Sequence, residues 1–109
     1  MIWGTVSHQF PALHCWPDAP DGPHEHLRNP HRHLFHVRIW IEQFHDERDV
    51  EYLEFKDWLS SVCTDRDMGR RSCERMAMDL RDLTRARWGE KRRVRVEVTE
   101  DGENGALIE

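Results

Sequence analysis

The run from Asn29 to Glu42 admits one local structure. It is rich in β-branched and aromatic residues and alternates in polarity, so it reads as a strand ending near Phe44. Alternate side chains of a strand share a face. Phe35, Val37, Ile39 and Ile41 therefore make one apolar face, and His31 and His33 begin it. Leu34, His36, Arg38, Trp40 and Glu42 make the other, more polar face. A strand with one apolar face needs a second layer to cover it.

The rest of the chain supplies that layer. Residues 2–10 read as a first strand, with Ile2, Gly4, Val6, His8 and Phe10 on one face. Pro11 marks its end or a bulge, because proline cannot donate to a ladder. From Cys15 to Pro30 the chain carries four prolines and a glycine, which predicts a long irregular loop. His45 to Asp49 is a polar turn. Residues 52–63 are expected to be helical, with Phe55, Trp58, Leu59 and Val62 as the buried stripe. A charged loop spans residues 64–71. Ser72 is an N-cap for a second helix that runs to about Trp88, with Cys73, Met76, Ala77, Leu80 and Leu83 facing inward. Gly89 stops it. Residues 92–100 form a third strand, with Val94, Val96, Val98 and Glu100 on one face. Asp101-Gly102 and Asn104-Gly105 are tight-turn signals, and residues 105–109 leave room for a short fourth strand. The expected order is β-β-α-α-β-β: an α+β fold with two helices on one face of an antiparallel sheet.

Composition narrows the function. The 109 residues make one domain, 1–109, with 34% charged residues and a net charge of -5. An acidic chain argues against nucleic-acid binding, although Arg92, Arg93 and Arg95 cluster locally. No apolar run is long enough to span a membrane, and no signal peptide is evident. Three cysteines without a Cys-x-x-Cys pair fit a reducing, cytoplasmic setting. Cys63 and Cys73 lie on or beside apolar helix stripes and are expected to be buried and inert. Eight histidines are many for this length, and His14, His24, His26, His31 and His33 fall within 20 residues.

Phe10 to His14 closes the first strand and Pro30 to Val37 opens the second. Pairing of these strands brings His14 towards His31 and His33. Three imidazoles with one open position are the catalytic form of a zinc site. Nitrogen donors favour Zn2+ but also suit Ni2+ or Fe2+.

With these motifs in order, the chain resembles the 6-pyruvoyl-tetrahydropterin synthase and 6-carboxytetrahydropterin synthase family. The resemblance rests on Phe10 to His14, on His31-Arg32-His33-Leu34-Phe35, on Glu54-Phe55 and on Ser72-Cys73-Glu74, and it spans nearly the whole chain. It implies the T-fold, or tunnelling fold. That fold assembles through edge-paired sheets into trimers, often stacked as hexamers, with the ligand pocket at the subunit interface. It implies Zn2+ on His14, His31 and His33. It also implies that Glu100 holds the ring of a pterin- or guanine-like ligand; the plain alternative for Glu100 is a turn residue. The implied activity is zinc-assisted elimination on a dihydroneopterin triphosphate-like or purine-derived substrate. Arg32 stands where the family has glycine. The family's catalytic cysteine has no counterpart near Leu27, and its Asp-His pair is missing from residues 64–71. His24 and His26 are the candidates for replacement bases. Without them, the resemblance implies a protein that binds or sequesters its ligand without turnover. Trp16 is the tryptophan closest to the metal loop, and Arg32 is a candidate phosphate contact.

Overall fold

The computed structural model describes residues 1–109. Four strands and two helices follow in the order β1 (Ile2–His14), β2 (His31–Gln43), α1 (Tyr52–Val62), α2 (Cys73–Trp88), β3 (Val94–Glu100) and β4 (Asn104–Ile108). The strands form one antiparallel sheet in sequence order, with β1 and β4 at its edges. β1 and β2 are joined by the loop of residues 15–30, which is not wholly irregular: Glu25–Arg28 make a short 3-10 turn.

One face of the sheet is apolar because every second residue is. Val6 and Phe10 of β1, Phe35, Val37, Ile39 and Ile41 of β2, and Val94, Val96 and Val98 of β3 are all buried. The helices cover this face, α1 against β1 and α2 against β3 and β4. Phe55 and Leu59 are fully buried from α1, and Met76, Ala77 and Leu80 are buried from α2. Each of the larger side chains, Ala77 excepted, contributes about 1.5–3 kcal/mol of transfer free energy. Phe55, Trp58 and Trp88 close one end, with ring centroids 4.8–6.2 Å apart. α1 begins where the Glu51 carboxylate accepts the N–H groups of Leu53 and Glu54. α2 begins where Ser72 Oγ accepts the Arg75 N–H. Both caps satisfy amides that a helix start leaves free.

Three local expectations change. β1 does not stop at Pro11 but runs on to His14, with Pro11 opposite Leu34. The Leu13 N–H points away from β2, since it donates to the Arg66 carbonyl. Proline at position 11, two residues earlier, therefore lacks its N–H on the open side, where no ladder bond is lost. Residues 92 and 93 lie outside β3. Finally, the β3–β4 turn uses Asp101 and Gly102, both with positive φ (56° and 72°), and Gly105 belongs to β4. No helix is long and apolar enough to cross a membrane.

Candidate metal centre

The strand register collects the site. His14 lies opposite His31, Ala12 opposite His33, and Phe35 opposite both Phe10 and Glu100. All of these residues have the parity of the core, so their side chains share the helix-covered face. At this end of the sheet, beside the first turn of α2, the apolar face gives way to three imidazoles and a carboxylate. The rings of His14, His31 and His33 stand 4.6–5.2 Å apart and nearly perpendicular to one another. Fully buried Phe35 lies beneath His14 and His33, at 5.1 and 5.7 Å. One donor atom from each histidine and one Glu100 oxygen all fall within 4.8 Å of each other.

The protons of the rings are set from outside. His14 Nδ1 lies 2.9 Å from the Arg71 carbonyl, and His31 Nδ1 lies 2.9 Å from the Asn29 carbonyl. His33 Nδ1 lies 2.7 Å from Asp101 Oδ2. Each partner is an oxygen that only accepts, so each Nδ1 carries the proton. In a neutral ring the Nε2 atom is then a bare lone pair. His14 Nε2 and His33 Nε2 both meet Glu100 Oε2, at 3.0 and 2.7 Å. His33 Nε2 is buried there without a hydrogen bond, because the contact has the distance of one but not the direction. The His14 contact has hydrogen-bond geometry, so a proton or a metal cation lies between these nitrogens and the carboxylate oxygen. The donor set, three imidazole nitrogens and a carboxylate oxygen, fits a divalent metal ion of the zinc type.

Asp101 is held by the same geometry. It accepts the Leu34 N–H at 2.9 Å as well as the His33 proton. The Leu34 bond first, and then the His33 bond, keep its carboxyl below the usual aspartate range. Glu100 Oε1 accepts from the Asn104 side chain at 3.1 Å, which ties the carboxylate to β4.

A cleft of ≈ 660 Å³ opens on the cluster. Beyond the triad and Glu100, its walls include Cys15, Trp16, Leu27, Arg70, Arg71 and Cys73. The loop of residues 66–69 shapes one side, because it bonds to the end of β1: Leu13 N–H to the Arg66 carbonyl, Met68 N–H to the Leu13 carbonyl and Cys15 N–H to the Gly69 carbonyl, at 2.7–2.8 Å. His24 and His26 are exposed and do not line the cleft, whereas Leu27 does. Arg32 alternates onto the opposite face of β2 from the triad and does not line it either. Burial, followed by the charges of Glu100 and Glu74, pushes the Cys73 thiol up to about 12. Burial alone does the same to Cys63. Neither is a thiolate near neutral pH. Sequence reasoning missed Asp101 and the backbone acceptors at Asn29 and Arg71. Only the neighbouring Glu100 hinted at Asp101.

No protein-family model matches the chain, and no curated protein matches it.

Proposed function

We propose that this chain is a T-fold protein, similar to 6-pyruvoyl- and 6-carboxytetrahydropterin synthases. In this reading it binds Zn2+ and acts on a dihydroneopterin triphosphate-like or purine-derived substrate. The observation that carries the reading is the cluster itself: one donor atom each from His14, His31, His33 and Glu100 lies within 4.8 Å of the others, and an oxygen acceptor holds each Nδ1. His14, His31 and His33 would hold the ion, with Glu100 beside it. When bound, zinc supplies Lewis-acid polarisation of a substrate oxygen. Glu100 has the chemistry to accept two N–H groups from a 2-amino-4-oxo ring edge. Trp16 and Leu27 give the cleft apolar walls, and Arg70 and Arg71 place positive charge on its rim.

A second reading, ligand binding without turnover, draws support from one observation. The cleft presents Leu27 where the family has its cysteine.

Assembly as a trimer or hexamer of edge-paired sheets is part of the proposal. The sheet has two edges, β4 and β1, the latter covered only at Leu13 by residues 66–68. The chain measures 52 × 23 × 21 Å with a radius of gyration of 15.2 Å, against roughly 13 Å for a compact chain of this length. Such an elongated body with unpaired edges is suited to closure by copies of itself.

Native mass spectrometry of the protein purified from cells tests metal and assembly together. One zinc per chain in a trimer or hexamer is expected; a metal-free monomer would sink the proposal. Incubation of the zinc-loaded protein with dihydroneopterin triphosphate, followed by chromatography, then separates the two readings. New pterin products mark the enzyme. Saturable binding with the substrate recovered intact marks the binder.

A further inference from the structure

The arginine cluster at the start of β3 is not used by the metal centre. It lies in a second cleft of ≈ 400 Å³, lined by Arg81 and Arg85 of α2, by Glu90 and Lys91, by Arg92 through Arg95, and by Trp3 and Glu109. Val94, at one end of β3, borders this cleft, and Glu100, at the other end, borders the metal centre. The strand between them spans about 20 Å, so the two sites are separate.

The charge balance of this cleft is unusual for the molecule. The chain is acidic, at -5, yet the lining holds six cationic side chains against two carboxylates. Some of that charge is already matched. Arg92 is bound to Asp49 at 2.8 Å, and Arg81 to Asp82 at 3.3 Å with a further bond to the Glu109 carbonyl at 3.1 Å. Arg85 and Arg95 stand 3.8 and 3.1 Å from Glu90 and Glu109. Two cations remain unmatched, and two guanidinium groups are only partly satisfied. Lys91 and Arg93 are exposed and have no carboxylate partner. Arg85 Nε is buried with no acceptor, although its terminal nitrogen donates to the Glu90 carbonyl. Arg95 Nε lies 3.1 Å from Glu109 Oε1 but out of line for a hydrogen bond. Buried donors are normally satisfied, and guanidinium groups match phosphate oxygens in pairs.

We propose that this cleft is an anion site for the phosphate chain of a di- or triphosphate. Two cations without a carboxylate partner, Lys91 and Arg93, and the unsatisfied Nε–H groups of Arg85 and Arg95 decide the class. A single carboxylate matches one of these cations, whereas a terminal phosphoryl group brings about 1.5–2 negative charges and the rest of the chain adds further acceptor oxygens. The volume suits a small ligand and is too confined for a nucleic-acid footprint. Trp3 adds one indole to the lining, the side chain a base would stack on if the phosphates belong to a nucleotide.

Calorimetric titration with sodium tripolyphosphate tests the proposal, on the intact chain and on a His31→Ala/His33→Ala variant in parallel. The variant separates binding at this cleft from chelation at the metal centre. The expected result is one anion per chain in both proteins, weakened by added salt. A Lys91→Glu/Arg93→Glu variant should bind at least tenfold more weakly, and its circular dichroism should match the parent because both side chains are exposed and unpaired. Arg85→Gln is the second variant and should also lose at least tenfold. A parallel titration with ATP distinguishes the sources. Equal affinity assigns the site to the phosphate chain alone; tighter binding that Trp3→Ala removes assigns it to a nucleotide. No binding of either anion would overturn the proposal, as would affinity indifferent to the charge reversals or binding confined to the histidine-intact protein.

Discussion

His33 and Asp101 are 68 residues apart in the chain and share a proton at 2.7 Å, from His33 Nδ1 to Asp101 Oδ2. The same carboxylate accepts the Leu34 N–H at 2.9 Å through its other oxygen. The turn that follows β3 therefore orients a ring on β2. It also makes that ring a better electron donor at Nε2, since an acceptor on one imidazole nitrogen raises the basicity of the other.

Asp101→Asn should weaken metal binding by about 10–100-fold, the usual cost of losing the partner behind a metal-bound histidine. Asparagine tolerates the positive φ of 56° at this position, so the turn should survive. Competition with a coloured chelator measures the affinity, and thermal unfolding in the absence of metal checks the fold. An unchanged affinity would show that Asp101 only braces the turn.

Metal should stabilise the wild-type chain strongly. A ligand at about 100 times its Kd adds about 2.7 kcal/mol to the folded state, which for a chain of this size raises Tm by roughly 10 °C. His33→Ala should abolish the rise while keeping the helical circular dichroism signal, because His33 is at the end of the sheet and not in its core. Differential scanning calorimetry with and without zinc decides it; an equal rise in both proteins would place the ion elsewhere.

The order of elements was legible because the buried residues alternate in the strands and recur every three or four positions in the helices. The same parity places His14, His31 and His33 on the core face of two paired strands, where the structure has them. Other features depend on contacts far apart in the chain. That Pro11 lies within β1 follows from the outward direction of the Leu13 N–H, which is fixed by a bond to Arg66. That Glu100 reaches the triad follows from the pairing of β3 with β2, where Glu100 stands opposite Phe35. The acceptors behind the three rings include two backbone carbonyls, at Asn29 and Arg71, which no side-chain pattern marks.

Gly105→Ala should destabilise the sheet edge. A Cβ at this position would collide with the carbonyl oxygen of Val98 and the Cα of Thr99, and backbone atoms cannot rotate aside. Overpacking of this kind costs about 1–3 kcal/mol. Asn104, which holds the Glu100 carboxylate, is the adjacent residue of β4, so metal affinity should fall as well. Urea unfolding and the chelator assay read the two effects, and a variant with wild-type values in both would show that β4 shifts freely.

The clip between Asp49 and Arg92 sets an acid limit on stability. Arg92 donates to both Asp49 oxygens, at 2.8 and 3.2 Å, and the Phe44 N–H adds a third bond at 2.7 Å. The Arg92 bonds first, and then the Phe44 bond, lower the Asp49 carboxyl from 3.8 to about 2. A carboxylate whose pKa is lower in the folded state binds protons more readily when unfolded. Its contribution is therefore complete above 3.8 and is lost as the pH falls through about 2. Asp49→Asn should cost about 1.5–3 kcal/mol at pH 7, the worth of hydrogen bonds to a charged group. The gap between variant and wild type should close as the pH drops from 4 to 2. Urea unfolding of both proteins across that range measures it. A gap that stays constant with pH would mean that the clip stabilises through packing of Arg92 on the Phe44 ring, 4.2 Å away, and not through charge.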